Sequence, residues 1–280
     1  METLKAILVD MADYEYAGEG ANGISYNHRS DPDVMLKLYH PGKVQQPLDE
    51  MLIARKVFAA GIPTPEPGDY VTDGTRYGIR FRRIRDKQSY ARAVGNHPED
   101  VVRYAEEFAG MCRKLHATPV DTTVFECVKD RYARQLEQNP FFTPVEKDRL
   151  LRFILDAPDT DTAIHGDLQF GNAIFVGDER YFIDLGDFCY GYPLFDVGMV
   201  YCIAFLSDEG FVREAFHMDQ KTARRFWEAF APAYFGTDRP LADIEADVRP
   251  FAGLKTIIVE RDIGCPMPSF REALNPILHP

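Results

Sequence analysis

The sequence predicts an α+β fold in two parts, a strand-rich front third and a mainly helical remainder. Three observations carry this. Up to residue 83 the apolar residues come in short alternating runs divided by glycine and proline. From Asn96 onward they recur mostly at helical spacing. Within the helical part, residues 164–187 read as a hairpin with polar clusters at its entrance and exit.

In the front third, Tyr14 to Gly18 and Ile24 to Asn27 are extended on either side of a glycine-rich turn, and Val34 to Tyr39 alternates as a strand. Leu48 to Ala60 is the interrupting helix, with apolar residues at Leu48, Met51, Leu52, Val57 and Phe58. Gly61 suits the position after its end, and Ile62-Pro63-Thr64-Pro65 cannot continue it. Gly68 to Thr72 and Tyr77 to Ile84 resemble a hairpin across Asp73-Gly74.

Further on, Pro98 suits a first helical position with Glu99 and Asp100 in the first turn, and Val101, Ala105, Phe108, Cys112 and Leu115 make one apolar stripe. Thr143-Pro144-Val145-Glu146 has the form of a capping box ahead of Leu150, Leu151, Ile154 and Leu155. Gln220 to Tyr234 and Ile244 to Arg261 read mainly as helix. The chain thus divides into residues 1–83 and 84–280, joined near Arg82 to Lys87.

Composition bounds the function. Over 280 residues the formal net charge is −12, which argues against a general nucleic-acid binder and permits a cationic substrate. Apolar residues make up 45% and charged residues 27%, as in ordinary globular proteins. The five cysteines, 112, 127, 189, 202 and 265, form no C-x-x-C pair and suggest buried thiols in a reducing compartment. Met1 to Asp10 has no long apolar core or small-residue cleavage site, and no stretch approaches the ~20 apolar residues that span a bilayer. The expectation is a cytoplasmic protein without membrane or nucleic-acid partners. No long heptad suggests a partner helix, so a monomer is slightly favoured.

The chemistry concentrates in Ile164-His165-Gly166-Asp167-Leu168-Gln169-Phe170-Gly171-Asn172-Ala173-Ile174-Phe175-Val176 and in Tyr181-Phe182-Ile183-Asp184-Leu185-Gly186-Asp187. Two short apolar runs flank Gly177-Asp178-Glu179-Arg180, so Asp167, Asn172 and Asp184 should fall at one end of a hairpin. Phosphoryl transfer needs these residue types, because the protein mainly positions groups and neutralises charge. One carboxylate orients a hydroxyl and takes its proton, a role that Asp167 fits. Hard oxygen ligands hold magnesium against phosphates, a role that Asn172 and Asp184 fit. An Asp at a strand end also caps turns, so a lone His-Gly-Asp triplet carries little.

The pattern H-G-D-x-x-x-x-N followed by I-D-x-G-D resembles the aminoglycoside phosphotransferase and choline kinase family, small-molecule relatives of the protein kinases. Gly191-Tyr192-Pro193-Leu194-Phe195-Asp196-Val197 is similar to that family's G-x-P-x-x-D segment. The motif region covers residues 164–198, and the two-part organisation extends the resemblance loosely to most of the chain. The resemblance implies a two-lobed, protein-kinase-like fold, with a nucleotide-binding lobe at 1–83 and a catalytic, acceptor-binding lobe at 84–280. It implies ATP and Mg2+ as cofactors, Asp167 as the catalytic residue, Asn172 and Asp184 as metal ligands, and a small-molecule hydroxyl as acceptor. His165 is assigned to support of the loop, Asp196 to backbone groups around it, and Asp187 to the metal or the acceptor.

The front third adds support. Gly18-Glu19-Gly20-Ala21-Asn22-Gly23 is a G-x-G-x-x-G string. A dinucleotide site would place a helix after it, whereas Ile24 to Asn27 looks like a strand, as in a kinase-like loop over ATP phosphates. Lys37 lies among apolar neighbours in Val34 to Tyr39 and needs a partner. Kinase-like folds use such a Lys on the α- and β-phosphates, paired with a helix Glu, for which Glu50 is the candidate. A solvated Lys and a first-turn Glu are the plain alternative. The backbone near Arg82 to Ile84 should meet the adenine, by resemblance.

Acceptor candidates are Asp187, Tyr190, Tyr192, Asp208, Glu209, Glu260, Arg261 and Asp262, with Trp227 and nearby aromatics as a cage for a quaternary ammonium. Arg261 and Asp262 could instead pair with each other. Competing functions are a protein kinase, a nucleotide-binding sensor or pseudoenzyme, and nucleotidyl transfer. Against the first, there is neither an H-R-D loop nor an A-P-E segment after Asp184.

Overall fold

The structure is a computed structural model that describes residues 5–20 and 22–279. In chain order its strands and helices are β1 (Ile7–Leu8), β2 (Tyr14–Gly20), β3 (Gly23–His28), β4 (Val34–Tyr39), α1 (Gln45–Ala59), β5 (Pro67–Thr72), β6 (Tyr77–Arg82) and β7 (Gln88–Ser89). Next come α2 (Tyr90–Asn96), α3 (Val101–His116), α4 (Val128–Gln138), α5 (Pro144–Asp156), β8 (Ala163–Ile164), β9 (Ala173–Val176), β10 (Glu179–Phe182) and β11 (Cys189–Tyr190). The rest is helical: α6 (Leu194–Phe205), α7 (Glu209–Phe216), α8 (Gln220–Phe235), α9 (Leu241–Gly253), α10 (Thr256–Ile263), α11 (Pro268–Ala273) and α12 (Asn275–Leu278).

The described residues divide into two compact units. The first runs to Gln88 and takes in Ile174–Asp187; the second holds Ser89–Ala173 and the residues from Phe188 onward.

The first unit is built on a six-stranded sheet in the order β1-β5-β6-β4-β3-β2. Strand β4 shows how the sequence sets it. Leu36 and Leu38 point to one face, where they are fully buried with Val9, Tyr14 and Val71. The alternate residue Tyr39 turns to the opposite face and packs with Met51 of α1, Tyr70 and Ile79. Lys37 shares that second face. β9 and β10 pair as the expected hairpin, and the Phe182 amide docks it by donating to the Pro63 carbonyl at 2.9 Å.

Helix α1 begins at Gln45, earlier than the expected Leu48, so Glu50 lies in its second turn. Its buried face is Pro47, Glu50, Met51, Ala54 and Val57, while Leu52 and Phe58, expected in the apolar stripe, are exposed. A carboxylate therefore occupies a position on the inner face that an apolar pattern does not reveal.

The second unit packs α3 against α8 and α6 against α9 around a buried aromatic core of Phe108, Phe170, Phe226, Trp227 and Phe230. The expected capping box at Thr143 and Glu146 is present. The span read as one helix over Ile244 to Arg261 is two, because the chain turns at Leu254 and Lys255 between α9 and α10. Helix α6 was not anticipated. Apart from Asp196 its sequence is apolar all round and almost all of its residues are buried, so it shows no amphipathic period. Among the described residues no helix is long and apolar enough to cross a membrane. All five cysteines are free thiols.

Candidate active site

In the first unit four side chains gather on the face of β4 that meets α1. Lys37 Nζ donates to Glu50 Oε1 at 3.0 Å and also to Asp184 Oδ1. The Tyr39 hydroxyl donates to Glu50 Oε2, and Lys37 Nζ lies 4.8 Å from the centre of the Tyr39 ring. Lys37 and Glu50 are nearly enclosed, their side chains 12% and 6% exposed, whereas that of Asp184 is 39% exposed. Asp184 has a φ of 58°, a left-handed conformation that costs a non-glycine residue free energy and tends to persist at functional sites.

Burial opposes the charge on Lys37, but Asp184 and then Glu50 outweigh it, and the ammonium is held above the ordinary lysine range. Burial also pushes the Glu50 carboxyl up, against the pull of Lys37. These tendencies compete for one proton. With donors from both Lys37 and Tyr39 on its two oxygens, Glu50 has the environment of a carboxylate, and we assign an ion pair.

Gly18 and Gly20 lie in β2, and Gly23 opens β3. A Cβ on Gly18 would meet nothing within 4 Å, whereas one on Gly23 would lie 2.2 Å from the Leu38 carbonyl oxygen. Close passage of β4 therefore already requires glycine at Gly23. Ala21, inside the string, falls outside the described residues.

In the second unit, β8 leads into the loop that carries Asp167. Gly166 has a φ of 86°, which suits glycine. Asp196, fully buried, accepts from the His165 amide at 2.6 Å, the Gly166 amide at 2.8 Å and His116 Nε2 at 3.1 Å. Burial alone would raise its pKa. The hydrogen bond from His116, with the neighbouring ammonium of Lys255, outweighs burial and holds Asp196 below the ordinary carboxylate range. Asp196 thus organises the loop backbone, as the sequence suggested. His165 is fully buried, and its Nδ1 accepts from the Asp167 amide at 3.3 Å. Asn172 Nδ2 donates to Asp167 Oδ2 at 2.9 Å and to the Asp167 carbonyl at 3.0 Å.

Taken one at a time, two of the expected metal ligands carry hard oxygen donors of the kind magnesium takes. With the Asn172 amide nitrogen turned to Asp167, its Oδ1 is the atom left for a hard cation, and Asp184 is a partly exposed carboxylate. Among the described residues no group of three or more His, Cys, Asp or Glu gathers as a metal cage. Magnesium is commonly held by one or two protein oxygens, with phosphates and water completing its shell.

A model of the phosphotransferase enzyme family matches residues 24–233, well over half of the sequence. The chain belongs to the phosphotransferase enzyme family. No curated protein matches it closely enough to count. Among solved structures it resembles a choline/ethanolamine kinase family protein from Mesorhizobium loti at 18% identity, covering 95% of this chain and 85% of that one, with a TM-score of 0.52. It also resembles the aminoglycoside phosphotransferase APH(3'')-Id from Streptomyces rimosus at 19% identity, covering 88% and 93%, with a TM-score of 0.56. A third neighbour is a thermostable mutant of aminoglycoside phosphotransferase APH(4)-Ia, in ternary complex with ADP and hygromycin B. There the identity is 14%, the coverage 95% and 93%, and the TM-score 0.59. At these identities the neighbours show the fold, which is kinase-like and α+β.

Several acceptor candidates prove to be structural in this phosphotransferase. Trp227 is fully buried, and its Nε1 donates to Glu245 at 3.0 Å, so it belongs to the core. Glu260 is fully buried and accepts from Arg271 at 2.6 Å and from the Met267 amide at 2.7 Å. Asp208 caps α7 through the Phe211 amide at 2.9 Å, Glu209 pairs with Arg213 on the same helix, and Arg261 pairs with Asp262.

Sequence reasoning missed Tyr39, His116 and Lys255. Tyr39 was within reach, because strand period places it beside Lys37 on one face. Lys255 carried a signal too, as a lone charge in the apolar run from Phe251 to Val259. His116 gave none, since it ends the stripe of α3 like any last-turn histidine.

Proposed function

We propose that this phosphotransferase moves the γ-phosphate of ATP, as its magnesium complex, to a hydroxyl of a small molecule: an aminoglycoside, a choline-like amino alcohol, a sugar or a related metabolite. The observation that carries the reading is the Lys37 ammonium held between Glu50 and Asp184. A nearly enclosed lysine positioned by one carboxylate, beside a second that remains partly exposed, suits a nucleotide's phosphates and their metal. A structural neighbour in ternary complex with ADP and hygromycin B, and another from the choline/ethanolamine kinase family, support the choice of nucleotide and acceptor class.

In this reading Lys37 contacts the α- and β-phosphates, with Glu50 and Tyr39 fixing its direction. Gly18 and Gly20 at the end of β2 and Gly23 at the start of β3 lie against the phosphates. Asp184 and Asn172 Oδ1 are the magnesium ligands, and the bound ion would neutralise charge on the phosphates. Asp167 accepts the proton of the acceptor hydroxyl as its oxygen bonds to the γ-phosphorus; the bond to the β–γ bridging oxygen breaks and ADP leaves. Residues 1–83 form the nucleotide-binding part and 84–280 the catalytic and acceptor-binding part, apart from the contribution of Asp184 to the nucleotide. The free thiols fit a cytoplasmic setting.

The test is ADP formation from Mg·ATP across a panel of aminoglycosides, amino alcohols, sugars and nucleosides, with the product identified by mass spectrometry. The expected result is one chemical class that yields a phosphorylated product and an equal amount of ADP. ADP formation that no hydroxyl compound stimulates, or release of AMP instead, would sink the reading.

A further inference from the structure

We propose that Lys255 is a positioning residue for Asp167, its buried ammonium fixing the peptide plane that leads into the carboxylate-bearing residue. The proposal rests on the role given to Asp167 above. Lys255 sits in the turn between α9 and α10 and is only 3% exposed. Its Nζ donates to the Gly166 carbonyl at 3.3 Å and lies 5.8 Å from the centre of the Tyr132 ring. That carbonyl belongs to the peptide joining Gly166 to Asp167. The preceding peptide is held by its amide, which donates to Asp196 Oδ1 at 2.8 Å. Gly166 is thus gripped on both sides, by an anion at its N–H and a cation at its C=O. A glycine needs such a grip more than any other residue, because it has no side chain to restrict its backbone.

Packing alone does not account for the ammonium. Enclosing an ammonium costs free energy that an apolar side chain of similar volume would avoid, so a buried lysine needs partners that make use of its charge. Asp196 and Asp167 supply countercharge, but the hydrogen bonds that Asp196 accepts come from His116 and from the amides of His165 and Gly166. What Lys255 adds is the grip on the Gly166 carbonyl. The turn at Leu254 and Lys255, where the sequence reads as continuous helix, is the local feature that sends this side chain inward.

The test compares wild type with Lys255→Met, which keeps the stem and removes the charge. Turnover of Mg·ATP is followed with the best acceptor of the panel, or as slow hydrolysis to water. The expected result is a fall in kcat of roughly 10²-fold, the scale set by a small misplacement of a reacting group. KM for ATP should stay within about twofold, since Lys255 acts on the loop before Asp167 and not on Lys37, while the melting temperature should fall, because buried Asp196 loses a neighbouring cation. Hydrogen–deuterium exchange should accelerate in peptides covering residues 163–173 and nowhere else. Lys255→Gln keeps a shorter donor and should fall between the two; if the methionine variant does not fold, it carries the same comparison. Unchanged kcat, or a loss matched by weaker ATP binding or a general rise in exchange, overturns the proposal. Exchange also separates the two claims. A wild-type protein without turnover overturns the assigned function, while the exchange comparison still decides whether Lys255 holds the loop.

Discussion

Asn172 clamps Asp167 at two points with one amide nitrogen, 2.9 Å from Oδ2 and 3.0 Å from the main-chain oxygen. The side chain of Asp167 is therefore held against its own backbone, and a substrate proton would meet a carboxylate already oriented. Asp167→Asn keeps the shape and removes the charge. It should lower kcat by at least ~10²–10⁴-fold, the typical worth of a positioned acid or base, and leave Mg·ATP affinity nearly unchanged. Rapid-quench kinetics with calorimetry checks both halves. Substantial residual turnover in this variant would remove Asp167 from its assigned role.

Asp184 is bound to Lys37 and is also a proposed magnesium donor, so Asp184→Ala should act twice. Loss of a charge-assisted partner is worth about 1.5–3 kcal/mol, which corresponds to roughly ten- to a hundredfold in affinity. Mg·ATP binding should weaken on that scale, and ATP binding in EDTA by less. Equal affinities for wild type and variant with Mg·ATP would count against the metal role.

The parts of this arrangement that sequence could show are those governed by local pattern. Strand β4 falls on the expected Val34 to Tyr39, because alternation there matches a sheet with apolar cover on both faces. The Thr143 capping box and the turn between β9 and β10 are also local signals. What did not show depends on contacts distant in sequence. Glu50 is buried on a face whose pattern favoured Leu52 and Phe58, because Lys37 and Tyr39 draw it inward. Lys255 looked like a helix residue because the apolar run continues past Gly253, the residue at which α9 in fact ends, and that glycine was not read as a stop. Trp227 and Glu260 looked available because composition alone does not distinguish a core aromatic or a paired carboxylate from a ligand-binding one.

Asp196 links the loop to pH. Its pKa is depressed in the folded protein, so its contribution to stability is fully present above the unfolded value of about 3.9 and is lost as pH falls through the lower folded value. Asp196→Asn removes that contribution and leaves an amide facing donors meant for a carboxylate. The expected cost near neutral pH is about 3–5 kcal/mol, as for other broken buried charge networks. The difference from wild type should shrink below pH ~4. Thermal unfolding by circular dichroism across this range measures both. A constant difference at every pH would show that the charge of Asp196 is not what stabilises the fold.

The glycine string offers a way to separate folding from nucleotide binding. At Gly23 an added Cβ would lie 2.2 Å from the Leu38 carbonyl oxygen and 2.7 Å from the Tyr39 Cα, both backbone atoms that cannot step aside alone. Gly23→Ala should therefore push β3 away from β4 and lower the melting temperature, with or without nucleotide. At Gly18 the added carbon meets nothing within 4 Å, so Gly18→Ala should change stability by less than about 1 kcal/mol. If the end of β2 approaches the phosphates, Gly18→Ala should still raise KM for ATP, because the loss falls on backbone approach to the ligand. Bulkier Gly18→Val should raise it further while the apo protein melts near the wild-type temperature. Wild-type KM in both Gly18 variants would place the phosphates away from this strand end, and an intact melting temperature in Gly23→Ala would contradict the strand contact.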